Sequence, residues 1–189
     1  MTDLNFFFKK YTYNLNNSIT NINLKNLRIA SKLMLDVIKK GNTIYVCGNG
    51  GSAAIANHYV CDFLKYFRQR SNFTPKIVSL SNNIETITAI ANDIDYKYIF
   101  KYQLESLYKK GDILLAISTS GKSENIIYAA ECAKKKGLVV IGLTGSSSSK
   151  LKRYCDICQS SDRYRRACTD QHGNCRSFQG PHDLPEAQI

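Results

Sequence analysis

Two serine- and glycine-rich turns, each set between an apolar run and a helical stretch, constrain this chain more than any other feature. The first, Cys47-Gly48-Asn49-Gly50-Gly51-Ser52, follows Asn42-Thr43-Ile44-Tyr45-Val46. The second, Ser118-Thr119-Ser120-Gly121-Lys122-Ser123, follows Asp112-Ile113-Leu114-Leu115-Ala116-Ile117. A turn of this kind leaves backbone N–H groups unpaired at a helix N-terminus, where the macrodipole is positive, and serine hydroxyls add further donors. Two such anion sites in one small domain predict a ligand that is phosphorylated and rich in hydroxyls.

The pattern around the turns sets the fold. Residues 3–20 and 23–40 each read as an amphipathic helix; in the second, Leu24, Leu27, Ala30, Leu33, Met34, Val37 and Ile38 recur at helical spacing, and Gly41-Asn42 stops it. Short apolar, β-branched strands are predicted at 43–47, 76–80, 112–117, 138–143 and 155–159. Helical segments separate them at 53–68, 84–91, 95–109, 123–136 and 147–153. Strand–helix alternation predicts a three-layer α/β sandwich around a parallel sheet with right-handed crossovers. Ligands of such sheets bind at the carboxyl ends of the strands, where both turns fall.

A length of 189 residues suits one domain with a real core. No apolar run approaches the ~18–20 residues of a membrane span, and the N-terminus lacks the features of a signal peptide. A cytoplasmic protein is expected, with no membrane partner. The net charge of +11 comes from lysines spread along helix faces, such as Lys32, Lys39, Lys65, Lys109 and Lys134-Lys135-Lys136. That distribution reads as a solvated surface or a mild field for an anionic substrate, and no nucleic-acid-binding motif accompanies it. Of the seven cysteines, Cys47, Cys61 and Cys132 lie in apolar segments and are expected to be buried thiols. Cys155-Asp156-Ile157-Cys158, with Cys168, His172 and Cys175 downstream, is too irregular for a zinc knuckle.

Gly48-Asn49-Gly50-Gly51-Ser52-Ala53-Ala54-Ile55-Ala56-Asn57-His58 resembles the signature of the sugar isomerase (SIS) fold, and within it that of the phosphoheptose isomerases. Thr88-Ala89-Ile90-Ala91-Asn92-Asp93 is similar to their mid-chain Asn-Asp turn, residues 117–123 to their phosphate loop, and Val140-Ile141-Gly142-Leu143-Thr144-Gly145 to the end of their fourth strand. The resemblance runs over residues 3–159. It implies a doubly wound five-stranded parallel sheet of flavodoxin-like order, preceded by a helical pair that mediates oligomerisation. Residues 1–159 would then be a single SIS domain, with 1–40 as oligomerisation helices and 41–159 as the sheet core. It further implies a cytosolic homotetramer with active sites at subunit interfaces, no nucleotide cofactor, and conversion of sedoheptulose 7-phosphate to D-glycero-D-manno-heptose 7-phosphate toward lipopolysaccharide or capsule. By this likeness Ser118, Thr119, Ser120 and Ser123 hold the phosphate, Asn49, Gly50, Gly51 and Ser52 line the sugar, and Asn92 and Asp93 contact its hydroxyls. Other proteins of the fold are non-catalytic sugar-phosphate sensors or tetrameric partners of a replication initiator, which is the alternative reading.

Aldose–ketose isomerisation needs a base near C1–C2, a proton donor for the oxygens and stabilisation of an enediolate. His58 and Asp62, four residues apart, share a helix face with Cβ atoms ~5–6 Å apart, and such a pair can act as an acid/base couple or hold one metal ion. The matching family positions are a histidine and a glutamate, and some members hold zinc there. Here the carboxylate is an aspartate, one methylene shorter. The family ends in an amphipathic helix bearing a Gln and a His, after an Asp-Thr-Ala-Arg-like turn. Asp162-Arg163-Tyr164-Arg165-Arg166-Ala167 does not match that turn, and Gln171, His172 and His182 do not fall at the family spacing. Residues 160–189 thus read as an atypical tail; a reading-frame change in the gene near codon 160 would produce such a switch.

Overall fold

The structure is a computed structural model, and residues 4–146 and 148–160 are described. The tail expectations, and Cys168, His172, Cys175 and His182, lie outside the described residues. The chain divides into two compact units. One contains α1 (Leu4–Thr20), a 17-residue helix with exposed Phe6, Phe8 and Tyr13. The other is Asn23–Ser160.

This second unit opens with α2 (Leu24–Lys39), whose first turn is capped by Asn23 Oδ1 accepting from the Asn26 N–H at 3.0 Å. The strands are β1 (Thr43–Cys47), β2 (Lys76–Ser79), β3 (Ile113–Ser118), β4 (Val139–Thr144) and β5 (Ile157–Ser160). They form one parallel sheet in the order β2-β1-β3-β4-β5. Between them lie α3 (Gly51–Asp62), a π-helical turn at Phe63–Phe67, α4 (Arg68–Arg70), α5 (Ile84–Asp93), α6 (Ile99–Leu107) and α7 (Glu124–Lys135). Short 3₁₀ turns occupy Tyr96–Tyr98 and Lys150–Tyr154.

The side-chain period of two sorts the strands onto two cores. Tyr45, Cys47, Leu114, Ala116 and Val140 face Phe100, Leu104, Ile126, Ala129 and Ala133 of α6 and α7. Ile44, Val46, Ile113, Leu115 and Ile141 face Val37, Ile38 and Ala56 of α2 and α3. β3, central in the sheet, is buried along its whole length, which is why its sequence reads as an unbroken apolar run.

The expected five-stranded doubly wound sheet is present. The differences are local. The 53–68 helix is interrupted by the π turn, the last 3₁₀ turn spans Lys150–Tyr154, and the last strand starts at Ile157 rather than 155. Asn92 and Asp93 are the last two residues of α5 rather than part of a turn. Cys47 and Cys132 are buried as expected, but Cys61 is exposed, because its position on α3 points away from the face that Ala56 presents to the sheet.

One buried carboxyl group ties strand starts together. Asp112, 1% exposed, accepts from the Thr43 N–H at 2.8 Å through Oδ1 and from the Lys109 N–H at 2.7 Å through Oδ2. It thereby fixes the entry of β3 beside the entry of β1. Asp112→Ala leaves two amides unpaired and is expected to lower stability by about 2–4 kcal/mol, read by urea unfolding at fixed protein concentration. A loss below about 0.5 kcal/mol would show that water replaces the carboxylate.

Candidate functional site

β1 and β3 are neighbours in the sheet, with Cys47 opposite Ala116, so the turns that follow them emerge side by side. The chain winds away from β1 in one direction toward β2 and in the other toward β3. This is the topological switch point, where open α/β sheets bind ligands.

The first turn is built by glycine. Gly50, the residue before α3, has φ of +52°, a left-handed conformation that strains any other L-residue. A Cβ on Gly48 would stand 2.4 Å from the Ser52 carbonyl oxygen, so only glycine allows the backbone to fold over itself there. Ser81, two residues beyond β2, locks the turn from the side: its hydroxyl accepts from the Gly48 N–H at 3.0 Å and donates to the Gly48 carbonyl at 2.9 Å. Gly51 has open space around its Cβ position, leaving the approach to the α3 N-terminus unobstructed.

The second turn is held by hydroxyls. The Gly121 N–H donates to the Ser118 carbonyl at 2.9 Å and to the Ser118 hydroxyl at 3.1 Å. The Ser118 hydroxyl in turn donates to Ser123 Oγ at 3.3 Å, and Ser120 Oγ accepts from the Lys122 N–H at 3.2 Å. Ser123 begins α7 without a side-chain cap bond to it. Outside support comes from the Gly145 N–H donating to the Thr119 carbonyl at 2.9 Å and the Leu151 N–H donating to the Gly121 carbonyl at 3.1 Å. Gly121 has φ of +62° and a Cβ there would meet Ser149 Cβ at 2.0 Å, so this close approach admits glycine alone.

An amide pair joins the turns. Asn49 Nδ2 donates to Asn125 Oδ1 at 2.9 Å, and Asn125 Nδ2 returns a bond to Asn49 Oδ1 at 2.8 Å. Tyr96 adds its hydroxyl to Asn49 Oδ1 at 3.2 Å. Asn125 is 2% exposed and also accepts from the Ile126 N–H at 2.9 Å. Asn125, Tyr96 and Ser81 are absent from the sequence-derived site. Asn125 carried a signal: an amide on the same helical face as Ala129 and Ala133 needs a partner to be buried.

The other expected residues are spread more widely. Asn92 and Asp93 are exposed, and Asn92 Nδ2 donates to Asp93 Oδ1 at 2.7 Å. His58 Nε2 lies 3.3 Å from Asp62 Oδ2 on the solvent side of α3, with side-chain exposures of 73% and 44%. At 1.5 Å per residue, these two stand about 10 and 16 Å along the helix from Gly51. Asp62 also borders a shallow depression with Phe63, Tyr66, Phe67, Arg70 and Ser71. Burial raises the neighbouring Tyr59 hydroxyl above its ordinary pKa, and the Asp62 carboxylate raises it further, so Tyr59 stays a neutral donor.

Zinc requires three or four donors. His58 and Asp62 supply two, and among the described residues no group of three or more His, Cys, Asp or Glu side chains gathers to hold a metal. The described donor set does not by itself fit a resident zinc. Among the described residues, no helix is long and apolar enough to cross a membrane.

A flavodoxin-like sheet with paired serine/glycine turns at its switch point is the frame of an anion-binding α/β domain, and the SIS domain model matches residues 7–145. The chain belongs to the SIS family. Its curated relatives include the phosphoheptose isomerase of Campylobacter concisus, 38% identical over 134 residues, covering 71% of this chain and 70% of the relative. That of Aliarcobacter butzleri is 42% identical over 131 residues, 69% of each chain. Among solved structures, a phosphoheptose isomerase from Francisella tularensis superposes with a TM-score of 0.74 at 33% identity over 82% of both chains.

Asn125→Ala removes both amide bonds to Asn49 and leaves the Ile126 N–H without its side-chain acceptor. It is expected to cost about 1–3 kcal/mol and to accelerate hydrogen exchange at the amides of residues 49–53. Unchanged exchange there would show that the first turn holds its shape without the pair.

Proposed function

We propose that this chain is a phosphoheptose isomerase, interconverting sedoheptulose 7-phosphate and D-glycero-D-manno-heptose 7-phosphate for lipopolysaccharide or capsule heptose. The observation that carries the reading is the juxtaposition of two donor-rich turns at adjacent strand ends, joined by the reciprocal Asn49–Asn125 bonds. Relatives near 40% identity that bear the name phosphoheptose isomerase support it.

In this reading the phosphate rests on Ser118, Thr119, Ser120 and Ser123 at the N-terminus of α7, with Lys122 adding positive charge. Asn49, Gly50, Gly51 and Ser52 line the polyol, and Asn92 and Asp93 bind its hydroxyls. The Asp62 carboxylate takes a proton from C1 of the ketose. The electron pair of that C–H bond forms the C1–C2 double bond of an enediolate, and the charge passes to O2. His58 donates to the oxygens while the O1 proton is transferred to O2. Asp62 then returns its proton to C2, giving the aldehyde at C1. No nucleotide takes part, and no step is routed through a metal. Should zinc bind, His58 and Asp62 are its first two ligands and the remaining donors come from elsewhere.

We also read residues 1–40 as helices for assembly and 41–159 as the sheet core of one SIS domain, in a cytoplasmic homotetramer. Exposed Leu24 and Leu27 of α2, and the aromatic side chains of α1, support an assembly role. His58 and Asp62 lie on the exposed side of α3, where a neighbouring subunit would complete the site.

The test is incubation with sedoheptulose 7-phosphate, with and without added zinc, followed by detection of the aldose. Asp62→Asn is expected to lower kcat by about 10²–10⁴-fold while thermal stabilisation by the substrate persists. Turnover unchanged in this variant would remove Asp62 from the role of base. Stabilisation by the sugar phosphate with no aldose formed by the wild-type chain would favour a sensor.

A further inference from the structure

The isomerase reading leaves one cluster of reactive side chains unused. Cys155 ends the 3₁₀ turn at Lys150–Tyr154, and Cys158 lies on β5 directly opposite Gly142 of β4. Both sulfurs converge on the space above that glycine. A Cβ at position 142 would sit 2.4 Å from Cys155 Sγ and 3.4 Å from Cys158 Sγ. Both residues are partly exposed.

From this arrangement we infer that Cys155 and Cys158 form a redox-active dithiol, a modification site that closes to a disulfide by exchange with a low-molecular-weight disulfide of the glutathione class and thereby loosens the Ser118–Ser123 loop.

The two thiols are electrostatically unequal. The adjacent Cys155 thiol holds the Cys158 thiol below its ordinary pKa, and the nearby Lys152 acts in the same direction. Cys158, followed by burial, pushes Cys155 well above its own. Cys158 is therefore the attacking thiolate. Its sulfur bonds to one sulfur of the small disulfide, the S–S bond of that molecule breaks, and one thiolate leaves. Once Cys158 is in the mixed disulfide, its negative charge is gone, and with it the main influence that raised Cys155. Cys155 then loses its proton to solvent and attacks Cys158 Sγ, expelling the second small thiolate. Two protein thiols and one small disulfide become one protein disulfide and two small thiols.

The route to the loop is short. Asp156, between the cysteines, is fixed to β4: its N–H donates to the Val140 carbonyl at 2.8 Å, its Oδ2 accepts from the Val140 N–H at 2.9 Å, and its carboxylate pairs with Lys134. Closing two unbonded sulfurs to the ~2.05 Å of a disulfide must therefore move the ends of the segment. Cys155 Sγ also gives up its 3.3 Å bond to the Leu151 carbonyl. Leu151 is the residue whose N–H braces the Gly121 carbonyl, and Ser149 beside it packs against Gly121. A shift of the 3₁₀ turn is passed directly to the backbone of the second turn.

The experiment equilibrates the full chain with glutathione disulfide, alkylates the remaining thiols, and maps the cysteines by mass spectrometry. Hydrogen exchange at residues 118–123 is measured in parallel on the oxidised and the reduced protein. The expected result is an intramolecular Cys155–Cys158 disulfide, with loop exchange about five-fold faster or more, and neither change in Cys158→Ser. Glutathione retained on single cysteines, oxidation only at the exposed Cys61, or no reaction would overturn the dithiol assignment. A mapped disulfide with unchanged loop exchange would overturn the coupling. Neither readout uses substrate, so a failure of isomerase activity and a failure of this inference are separately visible.

Discussion

The parallel pairing of β1 with β3 is the constraint on which the rest of the molecule depends. These strands are joined by crossovers through β2 and its helices, yet they sit side by side with Ile44 opposite Ile113 and Cys47 opposite Ala116. Burial on both faces makes this pairing favourable, and Asp112 sets its lower end by taking the Thr43 amide. Everything at the carboxyl edge follows from it. Turns that lie more than sixty residues apart in sequence emerge side by side, and α3 and α7 present their N-termini from opposite faces of the sheet.

The pair of turns is held by its own hydrogen bonds. Asn49 and Asn125 satisfy each other, Ser81 satisfies both backbone groups of Gly48, and Ser118 organises its own loop. Such internal bonding reduces the ordering that a flexible polyol phosphate would otherwise impose on the protein. In the proposed site, the side chain of Asn49 would therefore be shared between architecture and ligand. Its carbonyl oxygen is occupied by Asn125 and Tyr96, and only its remaining amide hydrogen can turn toward a sugar hydroxyl.

The strands and both turns were legible in the sequence because their causes are local. A strand covered on both faces must be apolar throughout, and a left-handed or crowded backbone position must be glycine, as at Gly50 and Gly121. What was not legible depends on partners distant in the chain. Asn125 acquires its meaning only from Asn49, 76 residues away. Cys61 sits among Val60 and Phe63, so its neighbours in sequence are apolar, but its helical phase turns it outward. The pairing of Cys155 with Cys158 above Gly142 needed the β4–β5 register, which shifts the last strand two residues from its expected start. The His58–Asp62 pair was read correctly as a helical neighbour pair.

The π-helical turn at Phe63–Phe67 carries a consequence for how this helix can change. A π turn accommodates one residue more than the α-helix around it. Each added residue advances the phase by about 100°, so residues beyond Phe67 point in directions that an uninterrupted helix would not give them. Deleting a single residue within this stretch could restore an unbroken helix at little cost to backbone bonding. It would leave His58 and Asp62 facing as they do now while swinging Arg68 and Arg70 to a different side. The surface immediately beyond the carboxylate can therefore be re-aimed by an insertion or deletion without disturbing the carboxylate itself.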